Sequence, residues 1–349
     1  MNFKNELWAF AKMSTQIGNS PDLVQGGGGN TSVKFSDTLM AIKASGFELR
    51  EVTLTSGYAV VNYQNIARYF SQNISEYPQN VNLDDYTANF VKQQAIAWEG
   101  LPIQRPSMET GFHSVLDKYV LHTHSVYANI LNCSTQAQEL IQKLFEGSPY
   151  VPLFVPYQNP GFFISRKIRE LVDKYKREHQ HFPEFIFLEN HGLIVSAPEA
   201  EKCLQLDNWI NERIKTFLKL SPYPAIKLLP KTENSFEDGG TFIENFITHC
   251  GISEDYFEQV LFPDQTVYFS GNISFSSQDP KKIHIANKKV EIRANPREAL
   301  TILQTLTAYL YIRSEMMRLG FTPKFISQAD MEYINNMESE KFRKSKVQS

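Results

Sequence analysis

Long apolar runs are missing from this 349-residue chain. Nothing in it approaches the roughly 20 consecutive apolar residues of a membrane-spanning helix. The opening Met-Asn-Phe-Lys-Asn-Glu-Leu-Trp8 carries an early acid where a secretory signal would be apolar. An excess of either charge is missing too. A net charge of −3 with a pI near 6.3 gives no electrostatic reason to expect nucleic acid or an anionic membrane as partner, and a small polar substrate fits better. Cysteine is scarce: Cys133, Cys203 and Cys250 are odd in number, widely spaced and without a CxxC pair. That pattern indicates neither a disulfide framework nor a thiolate zinc site. These absences together predict a soluble, unprocessed protein of a reducing cytoplasm. A hydrophobic content of 42% is ample for one large core or two unequal ones.

Residues 5–16 place Leu7, Phe10, Ala11 and Met13 at helical spacing ahead of the turn-forming Gly18-Asn-Ser-Pro21. Two strand-like runs follow, 26–35 and 39–46, with Ser36-Asp37 as the turn between them. A strand is predicted at 58–63, then a helix from Asp84-Asp85 with Tyr86, Phe90, Ala95 and Trp98 as its apolar positions. Next come helix 109–117, strand 118–124, helix 126–131, an edge strand over the proline-punctuated 150–157 and helix 164–175. Short strands at 185–188 and 193–195 flank Asn190-His191-Gly192, and Pro198 opens a long helix. The texture changes after Ser221-Pro-Tyr-Pro224, which predicts one unit over 1–224 and an α+β extension over 225–349. The extension reads as strands at 266–269, 282–285 and 290–292, and a helix over 296–319 announced by Asn295-Pro296-Arg-Glu298. The mixed charges of 337–349 read as a solvated helix end.

The chemistry concentrates on three of the eight histidines. In Tyr119-Val-Leu-His122-Thr-His124, residues i and i+2 of a strand share a face, so two imidazoles can grip one ion. Alone, the pair is equally a metal pair or a surface pair. His191, followed by a glycine that permits a sharp turn, tips the balance to metal, and three protein ligands leave one position open, as in catalytic rather than structural zinc. His113, His179, His181, His249 and His284 are set aside as ordinary polar side chains. Glu109 has two readings: an acid in a first helical turn, or a general base beside the metal with its pKa raised by desolvation. Gly26 to Gly29 matches neither the P-loop nor a dinucleotide fingerprint; it is a flexible turn or an anion-binding nest.

Several of these segments resemble the class II aldolase/adducin family, which includes the fuculose- and rhamnulose-phosphate aldolases. Gly29-Asn30-Thr-Ser-Val-Lys34 is similar to the family's Gly-Asn-x-Ser loop, Ser45-Gly46 to its Ser/Thr-Gly turn and Pro106-Ser107-Met108-Glu109 to its Pro-Ser-Ser-Glu segment. His122-Thr-His124 and His191-Gly-Leu-Ile194 resemble its zinc motifs in the family's order, and the likeness spans about residues 5–220. It implies an α/β, three-layer αβα fold with a central, largely antiparallel sheet. By the resemblance, His122, His124 and His191 would hold Zn²⁺ or another divalent metal and Glu109 would act as acid and base. Gly29, Asn30, Ser45, Gly46 and Ser107 would bind the substrate's phosphate. The implied activity is cleavage of a small, phosphorylated ketose, in which a metal acting as Lewis acid stabilises an enediolate. A pentulose-phosphate 4-epimerase and a non-catalytic, adducin-like interaction protein are the alternatives.

The resemblance also implies a homo-oligomer with active sites between subunits, one tyrosine coming from a neighbour, for which Tyr150 and Tyr157 are candidates. Met108 departs from the family by removing a hydroxyl from the phosphate loop. Leu261-Phe-Pro-Asp264-Gln-Thr-Val-Tyr268 and the final helices resemble the piece that precedes a short-chain dehydrogenase in long family members. No GxGxxG pattern follows Gly240, so no nicotinamide cofactor is expected.

Overall fold

A computed structural model describes residues 3–348 apart from Glu99 and Ser277. Its centre is an eight-stranded sheet built from β1 (Asn30–Lys34), β2 (Leu39–Lys43), β3 (Tyr58–Asn62), β4 (Ala95–Ile96), β5 (Tyr119–Thr123), β6 (Leu153–Val155), β7 (Phe185–Leu188) and β8 (Gly192–Ala197), in the order β4-β3-β2-β1-β5-β8-β7-β6. All neighbours are antiparallel except β6 and β7. The two-residue period of the strands divides their apolar side chains between two layers. Val33, Leu121, Leu193 and Val195 point into one core, which they share with α1 (Lys4–Gly18), α5 (Val126–Asn132) and α8 (Ala200–Leu218). Met40, Ile42, Val120 and Ile194 point the other way, onto α2 (Tyr63–Phe70), α3 (Leu83–Gln93), α4 (Thr110–Ser114) and α7 (Phe162–His179). Helices therefore cover both faces, giving the three-layer αβα architecture. α6 (Ala137–Phe145), which the sequence pattern does not announce, adds Ile141, Leu144 and Phe145 to the first core.

Two local expectations fail for tertiary reasons. Ala95 belongs to β4, paired with Val61, and Trp98 lies beyond it, because a free edge at β3 captures the chain once α3 has ended at Gln93. Pro198 stands before the long helix, which starts at Ala200, rather than within its first turn. The edge position of β6 is as its prolines suggest.

Past α8, β9 (Leu228–Thr232), β10 (Ser235–Asp238), β11 (Ile273–Ser274), β12 (Ile283–Ala286) and β13 (Lys289–Arg293) form a second sheet in the order β11-β12-β13-β10-β9. With it come α9 (Phe242–Cys250), α10 (Glu254–Phe257), α11 (Pro263–Tyr268), α12 (Pro296–Leu319), α13 (Gln328–Asn336) and α14 (Glu338–Gln348). α12 has the bounds expected: the Asn295 side chain accepts the Glu298 N–H at 2.9 Å and Pro296 fills the first helical position. This helix packs on α5, and the core runs unbroken from the first sheet into Leu303, Leu306 and Leu310. The strand expected at 266–269 is instead the helix α11. Pro263 at its first position and Asp264 in its first turn are helix-start signals that outweigh the β-branched run Thr266-Val267.

The 337–349 segment also departs from expectation. α14 turns Ser339, Glu340 and Val347 inward, and its Arg343 side chain is only 14% exposed. A Cβ built on Gly46 would lie 2.6 Å from Lys346, so this helix rests directly on the Ser45-Gly46 turn. Among the described residues no helix is long and apolar enough to cross a membrane.

Candidate metal centre

β5 delivers His122 on one face, and His124 follows just beyond the strand; His191 occupies the tight turn between β7 and β8. All three are buried, their ring centroids are 5.0–5.1 Å apart, and one nitrogen from each lies within 4.8 Å of the others. His122 Nδ1 donates to the Leu193 carbonyl at 3.0 Å, and His124 Nδ1 donates to the Asp264 carboxylate. Both rings are thereby held with an Nε2 lone pair free, and those two atoms face each other at 3.2 Å. Two nitrogens bound to one zinc at about 2.0–2.1 Å and a tetrahedral angle would lie about 3.3 Å apart, so the residues fit such an ion. Burial lowers the His122 pKa to about 3 against the opposing pull of Glu109, which keeps the ring neutral and able to act as a ligand.

Glu109 stands at the N-terminus of α4, yet its side chain makes no capping bond. It turns inward instead: Oε1 lies 3.3 Å from His191 Nε2 and Oε2 lies 3.6 Å from His122 Nε2. The raised pKa expected for a desolvated acid is not found. Burial alone would raise it, but His122, then His191 and His124, outweigh that and hold the carboxyl well below its ordinary range. An ionised Glu109 is a base, and it is oriented by a chain of groups that begins with a histidine set aside on sequence grounds.

The Asn30 amide nitrogen donates to Glu109 Oε2, and to Ser107 Oγ at 3.3 Å, which leaves its oxygen to accept from His113 Nε2. His113 is kept neutral by burial, so its Nδ1 accepts from the Ser32 hydroxyl at 2.8 Å. Asn30 and Ser32 are two residues apart on β1, with Asn30 opposite His122 and Ser32 opposite Val120 on β5. The same strand period that brings His122 to the site therefore brings this pair. The one sequence signal for His113 was its position four residues after Glu109.

Gly29, Asn30, Ser45, Gly46 and Ser107 line one small cavity together with Glu109, His124 and His191. Lys43, Asp264, Glu340 and Arg343, none of them singled out beforehand, line it as well. Lys43 is buried, donates to the Gly27 and Phe47 carbonyls at 3.0 and 2.7 Å, and has its pKa lowered to about 8, chiefly by desolvation and then by Arg343. Two N–H groups of the glycine loop are already taken: the Gly26 N–H donates to Gln304 and the Gly28 N–H to the Gln25 carbonyl. Its smallness has another cause, since a Cβ on Gly28 would come 2.7 Å from Asp264 Oδ2 and 2.8 Å from His124 Nδ1. Within one chain neither candidate tyrosine lines the cavity, as a residue supplied to a neighbouring subunit would not. Tyr150 OH accepts from Lys202 at 3.1 Å, and Tyr157 OH donates to Asn159 at 3.2 Å.

A buried three-histidine cluster that could hold a divalent metal, with a carboxylate facing it from a three-layer αβα frame, is thus the class of site this fold builds. Residues 9–218 match the family model described as Class II Aldolase and Adducin N-terminal domain, and the chain belongs to that family. Among solved structures, the N-terminal class II aldolase domain of a conserved protein from Thermoplasma acidophilum is 22% identical, with 62% of this chain and 96% of that one covered and a TM-score of 0.51. At that identity the likeness concerns the fold. A sugar-phosphate aldolase from Thermotoga maritima is 12% identical over 62% of this chain and 96% of its own, with a TM-score of 0.43. An L-fuculose-1-phosphate aldolase from Thermus thermophilus is 16% identical over 62% and 95%, with a TM-score of 0.39. No curated protein matches the sequence.

Proposed function

We propose that this chain is a zinc-dependent aldehyde-lyase that cleaves a small ketose by a retro-aldol reaction. The observation that carries the reading is the convergence of the buried His122, His124 and His191 on the Glu109 carboxylate, with Glu109, His124 and His191 lining one small cavity. A divalent metal held by the three histidines would act as a Lewis acid on the substrate carbonyl. Glu109 would take or return the proton on the neighbouring carbon, and Asn30, fixed by His113, would keep that carboxylate aimed. Lys43 and Arg343, beside Asn30, Ser45, Gly46 and Ser107, supply cationic and hydroxyl groups for an anionic substituent such as a phosphate. Burial of the cavity lining strengthens each of these interactions. The cavity measures about 30 Å³, room for one or two waters. A sugar therefore needs its lining side chains to move. Membership of a homo-oligomer belongs to the same proposal, with a neighbouring subunit supplying the aldehyde-side proton donor.

The test is an assay of purified, metal-loaded protein against ketose 1-phosphates and free ketoses, following release of dihydroxyacetone phosphate or an aldehyde. Release that stops on chelation and returns with Zn²⁺ is expected. Inversion of a pentulose phosphate without aldehyde release would replace the lyase by the epimerase. A chain that binds no divalent metal and turns over nothing would be an interaction protein.

A further inference from the structure

Behind the histidine seat lies a carboxylate with no part in the proposed reaction. Asp264, in the first turn of α11, is wholly buried; one of its oxygens accepts from His124 Nδ1 and the other from Arg343 Nη2 at 2.8 Å. Arg343 belongs to α14, where its Nε donates to Glu340 at 2.8 Å and its guanidinium lies 5.4 Å from the centre of the Tyr268 ring. Both residues fall outside the stretch 9–218 that carries the family match.

A neutral imidazole carries one N–H, and the group accepting it decides which nitrogen keeps a lone pair. For His122 that group is the Leu193 carbonyl at 3.0 Å, whereas His191 Nδ1 has no partner among the described residues. His124 alone of the three has its Nδ1 bonded to a charged group. Asp264 in turn would be an isolated buried charge without Arg343, at a cost of several kcal/mol. The close approach depends on the glycine loop as well, since any side chain at Gly28 would displace the pair.

We propose that Asp264 is a positioning residue that fixes the tautomer and orientation of His124, and that Arg343 clamps Asp264. The last helix of the chain is then a working part of the metal seat. The proposal rests on the reading that the triad binds a divalent metal. In Asp264→Asn, Arg343 still demands the side-chain oxygen. The amide nitrogen then faces His124, its ring proton moves to Nε2, and the ligand atom is blocked.

The experiment titrates Zn²⁺ and Co²⁺ into the wild-type, Asp264→Asn and Arg343→Gln chains against a competing chromophoric chelator, with thermal melts as controls for folding. Asp264→Asn should bind either ion about 10- to 100-fold more weakly and alter the visible Co²⁺ spectrum, while Arg343→Gln should weaken binding less. Wild-type affinity and spectrum in Asp264→Asn would overturn the positioning role, and wild-type affinity in Arg343→Gln would overturn the clamp. A wild-type chain that takes up neither ion would overturn the metal reading itself, and this inference with it. Nitrogen-15 NMR of the metal-free wild-type protein tests the same point independently of how the variants fold: His124 should carry its proton on Nδ1, and a proton on Nε2 sinks the proposal.

Discussion

Glu109 Oε1 lies 3.3 Å from His191 Nε2, with the other oxygen of the same carboxylate 3.6 Å from His122. A side chain that could have capped α4 is instead committed to two imidazoles of the histidine cluster. Glu109→Gln keeps the shape and removes the base. It should retain stoichiometric metal and lose about 10²- to 10⁴-fold in turnover, measured by product release alongside metal analysis. Unchanged turnover would remove Glu109 from the chemistry.

His122→Ala deletes a nitrogen proposed as a metal ligand, which the Leu193 carbonyl has already oriented. Its effect on Zn²⁺ affinity should exceed the roughly 10- to 100-fold that a change behind a ligand produces. Competition titration measures it, and a loss smaller than that of Asp264→Asn would contradict the ligand assignment.

His113→Leu breaks the bond that sets the Asn30 amide, leaving its oxygen free to rotate towards Glu109. Turnover should fall roughly five- to ten-fold, the equivalent of one hydrogen bond of about 1–1.5 kcal/mol, while metal stoichiometry stays at the wild-type level. Equal turnover in variant and wild type would show that Asn30 holds its place unaided.

Asp207, on α8 behind β5, accepts from Thr123 at 3.4 Å and Asn211 at 3.1 Å, and burial raises its pKa to about 7. The unfolded value is about 3.9, so between about pH 4 and 7 the folded chain holds a proton that the unfolded chain has released. Stability from this group is therefore complete below about pH 4 and lost as the pH rises through 7. Asp207→Asn cannot titrate. Its stability relative to wild type should climb by up to roughly 4 kcal/mol between pH 4 and 8, a slope of about 1.4 kcal/mol per pH unit. Taking the difference between the chains cancels the histidines and Lys34. A difference in urea midpoints that does not change with pH would show that Asp207 is ionised in the folded state.

Gly192→Ala would place a Cβ 2.2 Å from the backbone oxygen of Thr123, between the two histidine-bearing segments. Neither backbone can yield without disturbing the β5–β8 pairing, so a loss of about 1–3 kcal/mol is expected from denaturant melts. Wild-type stability would mean the strands separate there freely.

The local features were readable because each is a short-range fact. Strand alternation, the Asn295-Pro296 cap and the i, i+2 spacing of His122 and His124 need only a few neighbouring residues to be recognised. The α11 segment was misread because β-branched residues suggested a strand while the decisive proline lay just ahead of them. His113 escaped because its role exists only once α4 packs over β1 and lays its ring between Ser32 and Asn30.

By itself, then, the sequence determined the layered α/β frame and the identity of the three histidines and Glu109, since period and motif are encoded within a few residues of each other. Only the tertiary structure decided what surrounds them. Asp264 and Arg343 lie 140 and 79 positions from the groups they meet at His124 and Asp264, a separation over which no local pattern in the chain marks a contact. The charged segment that reads as a solvated end becomes the inner wall of the site. A buried partner of opposite charge makes that burial favourable, and only folding can bring the partner there.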